Sequence, residues 1–142
     1  MPAEAATGAR MTIAGDPASV RAGLCALMAA PPLAGLPSDL RQDAELVLAE
    51  VLNNIAEHAY AAGPGPIEVQ LLPDRGGFAC IVRDRGTAMP GGTLPAGLPP
   101  SPDGPNPPEG GFGWHLIRSL VQDLSYVRDA AGNKLTFRIS RC

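Results

Sequence analysis

Between Pro90 and Pro108 nearly every second or third residue is proline or glycine. No helix or sheet tolerates that density of missing N–H donors and loosely constrained backbone. The segment divides the chain into a long first packet and a short second one. The second packet is too short to build an independent core, so the two must share one, with the Pro/Gly run looping over it. A structureless run of this length inside a compact domain is usually a lid or a binding loop. The 142 residues suit one domain, covering 10–142 behind a flexible N-terminus at 1–9. That length can bury a core without disulfides or a structural metal.

The rest of the chain reads as alternating short elements. Residues 10–14 form a strand. Asp16 caps a helix that has Pro17 at its first position and runs to about Ala30, with Val20, Leu24, Leu27 and Met28 on one face. A second helix opens at Pro37-Ser38-Asp39 and keeps its helical period to about Ala61 through Leu40, Ala44, Val47, Leu48, Val51, Leu52, Ile55 and Ala59. Ile67–Leu71 and Phe78–Val82 read as a hairpin. After the Pro/Gly run come a helix at Trp114–Gln122, with Leu116, Ile117 and Leu120 buried, and strands at Leu124–Arg128 and Lys134–Ser140. Gln122 and Asp123 look like a solvated helix end, and Asp129–Asn133 like a turn. The order β-α-α-β-β-loop-α-β-β predicts an α+β fold of two layers: a mostly antiparallel sheet with three helices on one face.

Composition removes several classes of function. The net charge of −3 carries no basic stripe, which argues against direct nucleic-acid binding. No apolar run is long enough to span a bilayer, and Met1–Arg10 lacks the basic-then-apolar order of a signal peptide, so no membrane partner and a cytoplasmic location are expected. Cys25 and Cys80 sit among apolar residues and Cys142 ends the chain. This odd set without a CxxC spacing reads as two core thiols and a terminal one.

Three places carry candidate chemistry. Glu50, Asn54 and His58 lie four apart and form one row along the second helix, flanked by Asn53 and Glu57. Asn53-Asn54 is a poor helix former in mid-helix, where local preference and fold disagree. An asparagine carbonyl suits Mg²⁺ alongside phosphates and waters, and a glutamate one turn earlier can take a proton from a hydroxyl nucleophile. Asp84 follows an inner strand and precedes Gly86, so it reads either as a turn residue or as an acceptor for an exocyclic amine. Gly110-Gly111-Phe112-Gly113 opens a helix after the loop, where backbone N–H groups can face phosphate oxygens. The run is neither a Walker loop nor a dinucleotide fingerprint. His58 and His115 are expected to play structural or partner-facing roles, with Trp114 beside His115.

Taken in order, these motifs resemble the GHKL (Bergerat-fold) ATPase superfamily, and within it the RsbW/SpoIIAB group of anti-sigma factors with serine kinase activity. Glu50-Val51-Leu52-Asn53-Asn54-Ile55-Ala56-Glu57-His58-Ala59-Tyr60 looks like that group's N-box. Asp84-Arg85-Gly86-Thr87-Ala88-Met89-Pro90 looks like its first glycine box and Gly110-Gly111-Phe112-Gly113-Trp114-His115-Leu116-Ile117 like its second. The tail from Leu124 through Thr136 is also similar. The resemblance implies ATP and Mg²⁺ as cofactors and an ATP lid at about 87–111. It makes Asn54 the Mg²⁺ ligand and Glu50 the general base. Asp84 would bind the adenine amine, Gly86 would give the base room, and Gly110, Gly111 and Gly113 would face the phosphates. It further implies phosphorylation of a serine on a STAS-domain anti-anti-sigma partner, binding of a sigma factor, and a homodimer through the strand at 10–14.

Two departures bear on phosphotransfer more than on nucleotide binding. Ala88 stands where many relatives have a second glycine, and the lid from Thr87 to Gly111 holds no Lys or Arg but does hold Glu109. The alternative function is therefore a nucleotide-gated binding protein without phosphotransfer. A sensor histidine kinase core is disfavoured, since residues before 10 leave no room for a phospho-accepting hairpin.

Overall fold

The computed structural model describes residues 8–96 and 111–141. The elements follow the expected order. Strand β1 (Ala9–Ala14) leads to helix α1 (Pro17–Met28), a short 3₁₀ turn and helix α2 (Ser38–Asn54). The hairpin of β2 (Pro66–Asp74) and β3 (Gly77–Asp84) follows, and beyond the loop come helix α3 (Gly111–Leu120) and the hairpin of β4 (Gln122–Asp129) and β5 (Gly132–Ser140). The five strands form one antiparallel sheet in the order β1-β2-β3-β5-β4. This is the two-layer α+β arrangement that the order of elements predicts.

Alternation along the strands builds the core. Ile67, Val69 and Leu71 of β2, Phe78, Cys80 and Val82 of β3, and Leu135, Phe137 and Ile139 of β5 all point to one face and are buried there. Val20 and Leu27 of α1, Val47, Leu48, Val51 and Leu52 of α2, and Trp114 and Ile117 of α3 close over them. Leu24, Leu116 and Leu120 are only half-buried.

Local signals explain the first helix. Asp16 accepts hydrogen bonds from the Ser19 amide and hydroxyl, both at 2.8 Å, with Pro17 at the first helical position. The helix stops at Met28, two residues short of expectation. There the Arg41 side chain donates to the Met28 carbonyl at 3.1 Å and to the Leu33 carbonyl at 3.2 Å, satisfying acceptors that the helix end leaves over.

Other boundaries depart from the sequence reading. Helix α2 does not run unbroken to Ala61: after Asn54 it widens into a π-helical turn at Ile55–Ala59, closed by the Tyr60 amide donating to the Ile55 carbonyl at 3.0 Å. Helix α3 begins at Gly111, three residues earlier than expected, and ends at Leu120. Gln122 and Asp123 are not a helix end. They begin β4, with Asp123 at φ 55° beside the shift in β4–β5 register. Cys25 is not a core thiol: it is exposed on α1, and only Cys80 is buried. Burial pushes the Cys80 thiol's pKa upward, which leaves it inert. Cys142 lies outside the described residues, as do residues 1–7 of the expected flexible N-terminus. Among the described residues no helix is long and apolar enough to cross a membrane.

Three surface carboxylates have pKa values lowered by their partners in the fold. Asp16 is held below its ordinary pKa by the Ser19 amide and hydroxyl, Asp39 by the Arg141 side chain, and Asp74 by the Arg75 amide and then the Arg138 guanidinium. A carboxylate whose native pKa is depressed binds protons more weakly folded than unfolded. Its contribution is therefore complete above the ordinary carboxylate range and disappears as pH falls through the native value. Thermal unfolding should give a level Tm between about pH 7 and pH 5 and a falling Tm below about pH 4. Asp16→Asn keeps the cap acceptor but cannot titrate, so it should remove part of that fall.

Candidate functional site

Strand register brings the first polar groups together. On the core-facing side, the last row across the sheet runs Ile13, Ile67, Asp84, Asn133 and Arg128. Asp84 ends β3 in a position that would otherwise be apolar, and it is 6% exposed. A buried carboxylate needs donors. Its Oδ1 accepts from the Asn133 side-chain amide and from the Gly86 backbone N–H, each at 2.8 Å. Gly132, at φ 124°, lets β5 turn against the Asp84 carbonyl where a side chain would collide.

The π turn supplies the opposite wall and anchors the loop after Asp84. Ala59 presents its carbonyl to the Thr87 N–H at 2.8 Å. Gly86 lies flat on Ala59, with no space for a Cβ. The Tyr60 hydroxyl accepts from the Arg85 N–H at 2.8 Å and donates to the Pro66 carbonyl at 2.6 Å, joining helix, loop and sheet. A π turn inserted in an α-helix is often found at a functional site. Here it carries Ala59 and His58 to the pocket side.

Between these walls lies a pocket with about 490 Å³ of empty space, counting its open mouth. Val51, Ile55, Ala88, Met89, Trp114 and Leu135 make its apolar lining, and Asn54, Asp84 and Asn133 bring the buried polar groups. His58 is exposed at the mouth, with its Nε2 3.8 Å from a Glu57 carboxylate oxygen.

The second end of the site lies where α3 crosses α2. Asn54 is 7% exposed, and its side-chain nitrogen is buried with no hydrogen-bond partner among the described residues. An orphaned buried amide costs stability unless a ligand completes it. Glu50, one turn earlier, is half-buried and has no ion pair or hydrogen bond among the described residues. Gly113, in the first turn of α3, sits directly over both. A methyl group there would come within 2.5 Å of a Glu50 carboxylate oxygen and 3.8 Å of the Asn54 nitrogen. Because that position carries no side chain, the N-terminal turn of α3 lies directly against the Glu50–Asn54 pair, and a methyl there would displace the Glu50 carboxylate. Gly111 is the first residue of α3.

The structure thus gathers Asn54 and Asp84 around one pocket; Glu50 and Gly113 do not line it but meet beside Asn54, where α3 crosses α2. Gly86 borders the pocket through its contact with Ala59. Gly110 and most of the expected lid, residues 97–110, lie outside the described residues. The near part of the lid folds inward: Thr87–Pro90 line the pocket, and Arg118 of α3 holds the Pro95 carbonyl at 2.9 Å.

This is a site with a buried carboxylate in its wall and, beside the first turn of α3, an amide nitrogen and a carboxylate that have no partner among the described residues. A family model for the histidine kinase-like ATPase domain matches residues 13–139, nearly the whole chain. The chain belongs to that family. No protein of curated function matches it. Membership in the histidine kinase-like ATPase domain family implies ATP binding and is compatible with an ATP-using kinase. The orphaned Asn54 Nδ2 is a donor that fits a phosphate oxygen of a nucleotide, the side-chain-free Gly113 leaves room for it, and the Asn54 Oδ1 is the atom that would hold Mg²⁺. The ion's chemistry there is to neutralise phosphate charge.

Asn133 and Tyr126 are the site residues that sequence reading passed over. Local sequence reads Asn133 as the end of a turn. The available signal was parity: Asn133 alternates with Leu135, Phe137 and Ile139, so a buried Asn133 had to share their face and find a polar partner.

Proposed function

We propose that this histidine kinase-like ATPase domain is a regulator of the anti-sigma factor type that binds MgATP and phosphorylates a serine or threonine on a STAS-domain anti-anti-sigma partner, and that it also binds a sigma factor. The observation that carries the reading is the meeting of Glu50, Asn54 and Gly113, with Asn54 lining the same pocket as Asp84. Asp84 would take the adenine amine on its second carboxylate oxygen, and Asn54 would hold the metal. The backbone N–H groups in the first turn of α3, Gly111 and Gly113 among them, would face the phosphates.

Glu50 has the chemistry for the remaining step. Its carboxylate, unpaired among the described residues, can accept the proton of a partner hydroxyl as that oxygen bonds to the γ-phosphorus and the bond to the ADP oxygen breaks. Strand β1, at the edge of the sheet, suits pairing with a second copy of the chain.

The test is incubation with ATP and a STAS-domain protein, followed by mass spectrometry for phosphoserine or phosphothreonine. Glu50→Gln should lower transfer by about 100-fold or more while changing ATP affinity only a few-fold. Transfer that survives Glu50→Gln would remove the base assignment. ATP binding without transfer to any STAS protein would favour the second reading, a nucleotide-gated binding protein. Two features support that reading: the lid sequence offers no Lys or Arg to a γ-phosphate, and Ala88 lines the pocket where many members of the group it resembles have glycine.

A further inference from the structure

Asn133 is an amide whose orientation is determined from both ends. Its Oδ1 faces the Arg128 guanidinium at 3.1 Å and the Tyr126 hydroxyl at 2.6 Å, and arginine can only donate. Its Nδ2 faces Asp84 Oδ1 at 2.8 Å and the Thr87 carbonyl at 3.0 Å, both acceptors. Two donors and two acceptors are therefore fully matched, and the flipped amide would face arginine with an N–H and Asp84 with an oxygen.

The chain of donors continues outward. Because Asn133 Oδ1 cannot donate, the Tyr126 hydroxyl must, which leaves its lone pairs for the Met89 N–H at 2.9 Å. The donors run in one direction: Met89 amide to Tyr126, Tyr126 to Asn133, Asn133 to Asp84. Such aligned bonds reinforce one another in a buried setting. At the far end both acceptor sites of Asp84 Oδ1 are occupied, by Asn133 and by Gly86, so only Oδ2 is left for a ligand. At the near end the same network holds Thr87 and Met89, which line the pocket.

We infer that Asn133, locked by Tyr126 and Arg128, is a positioning residue for base selection: it holds Asp84 so that a pure acceptor meets the base, and it ties that contact to the loop at Thr87–Met89. This inference rests on the nucleotide reading of the pocket. The ligand class it selects is a purine nucleoside triphosphate with an amine at position 6, against one with a carbonyl there. A 6-carbonyl would set oxygen against the Asp84 oxygen. The coupling partner is the loop itself, since loosening Tyr126 loosens Met89.

The experiment measures binding of ATP and of inosine triphosphate, which carries the carbonyl, to the full chain and to Asn133→Ala and Tyr126→Phe. The unmodified protein should prefer ATP. Asn133→Ala should reduce the ATP-to-inosine-triphosphate affinity ratio by about 10-fold, as expected for freeing a hydrogen-bonded charged acceptor. Tyr126→Phe keeps the ring and should reduce the ratio less while speeding hydrogen exchange at the Met89 amide. It also carries the test if Asn133→Ala does not fold. A structural role alone would weaken both nucleotides equally, and an unchanged ratio in Tyr126→Phe with intact folding would overturn the inference. Equal affinity of the unmodified protein for the two nucleotides would overturn it too, with the nucleotide reading intact. Binding of neither would remove both.

Discussion

Asn54→Ala is expected to lower MgATP affinity by about 100-fold, the cost of losing one strong contact to a charged group, while the ligand-free protein becomes more stable. The two effects have opposite signs for one reason. The Asn54 side-chain nitrogen is buried without a partner among the described residues, a penalty of about 1–3 kcal/mol. Alanine removes the unsatisfied group and is also the better helix former at the end of α2. A ligand that completes the amide offsets this penalty, so the residue is costly alone and useful in the complex. Isothermal titration and thermal unfolding on the same preparation check both halves. Unchanged MgATP affinity would remove the metal-binding role. A large loss of stability would instead make Asn54 an ordinary packing residue.

The second large effect is expected at Gly86. A methyl group there would overlap the Ala59 carbonyl and Cβ, and these belong to backbone and core that cannot move aside cheaply. Gly86→Ala should break the Thr87–Ala59 hydrogen bond, lift the loop from the π turn and destabilise the fold by about 3 kcal/mol, the upper part of the range for overpacking. Nucleotide binding should be lost with it, because the same loop carries Thr87–Pro90 into the pocket. Denaturant unfolding and nucleotide titration check the pair. Gly113→Ala is a useful contrast, since its methyl meets the movable end of the Glu50 side chain and not backbone. It should leave stability nearly unchanged and act on transfer.

Much of the site could be read before the structure. Glu50 and Asn54 share a helix face because four residues make about one turn, and Asp84 stood out as a carboxylate closing a buried strand. Gly113 stood out as a glycine opening a helix after a loop. Asn133 and Tyr126 did not stand out. Their function depends on which strand pairs with β3, and β5 reaches it across a chain separation that local patterns do not encode. The π turn escaped for a similar reason. Its apolar spacing matches that of an ordinary helix, and its extra residue is accommodated by Tyr60, whose hydroxyl bridges Arg85 and Pro66. Cys25 was misplaced because neighbouring apolar residues on a helix say little about which way one side chain turns.

The sequence by itself determined the number and order of elements, the antiparallel α+β class and the break at the Pro/Gly run. Those follow from side-chain periodicity and from backbone that cannot hold a ladder, both local properties. Only the tertiary structure decided the strand order β1-β2-β3-β5-β4, the pairing of Asp84 with Asn133, and the contact of Gly113 with Glu50 and Asn54. Those depend on which buried polar groups can satisfy one another and how closely two helices can approach, and both conditions exist only once the chain has closed on itself.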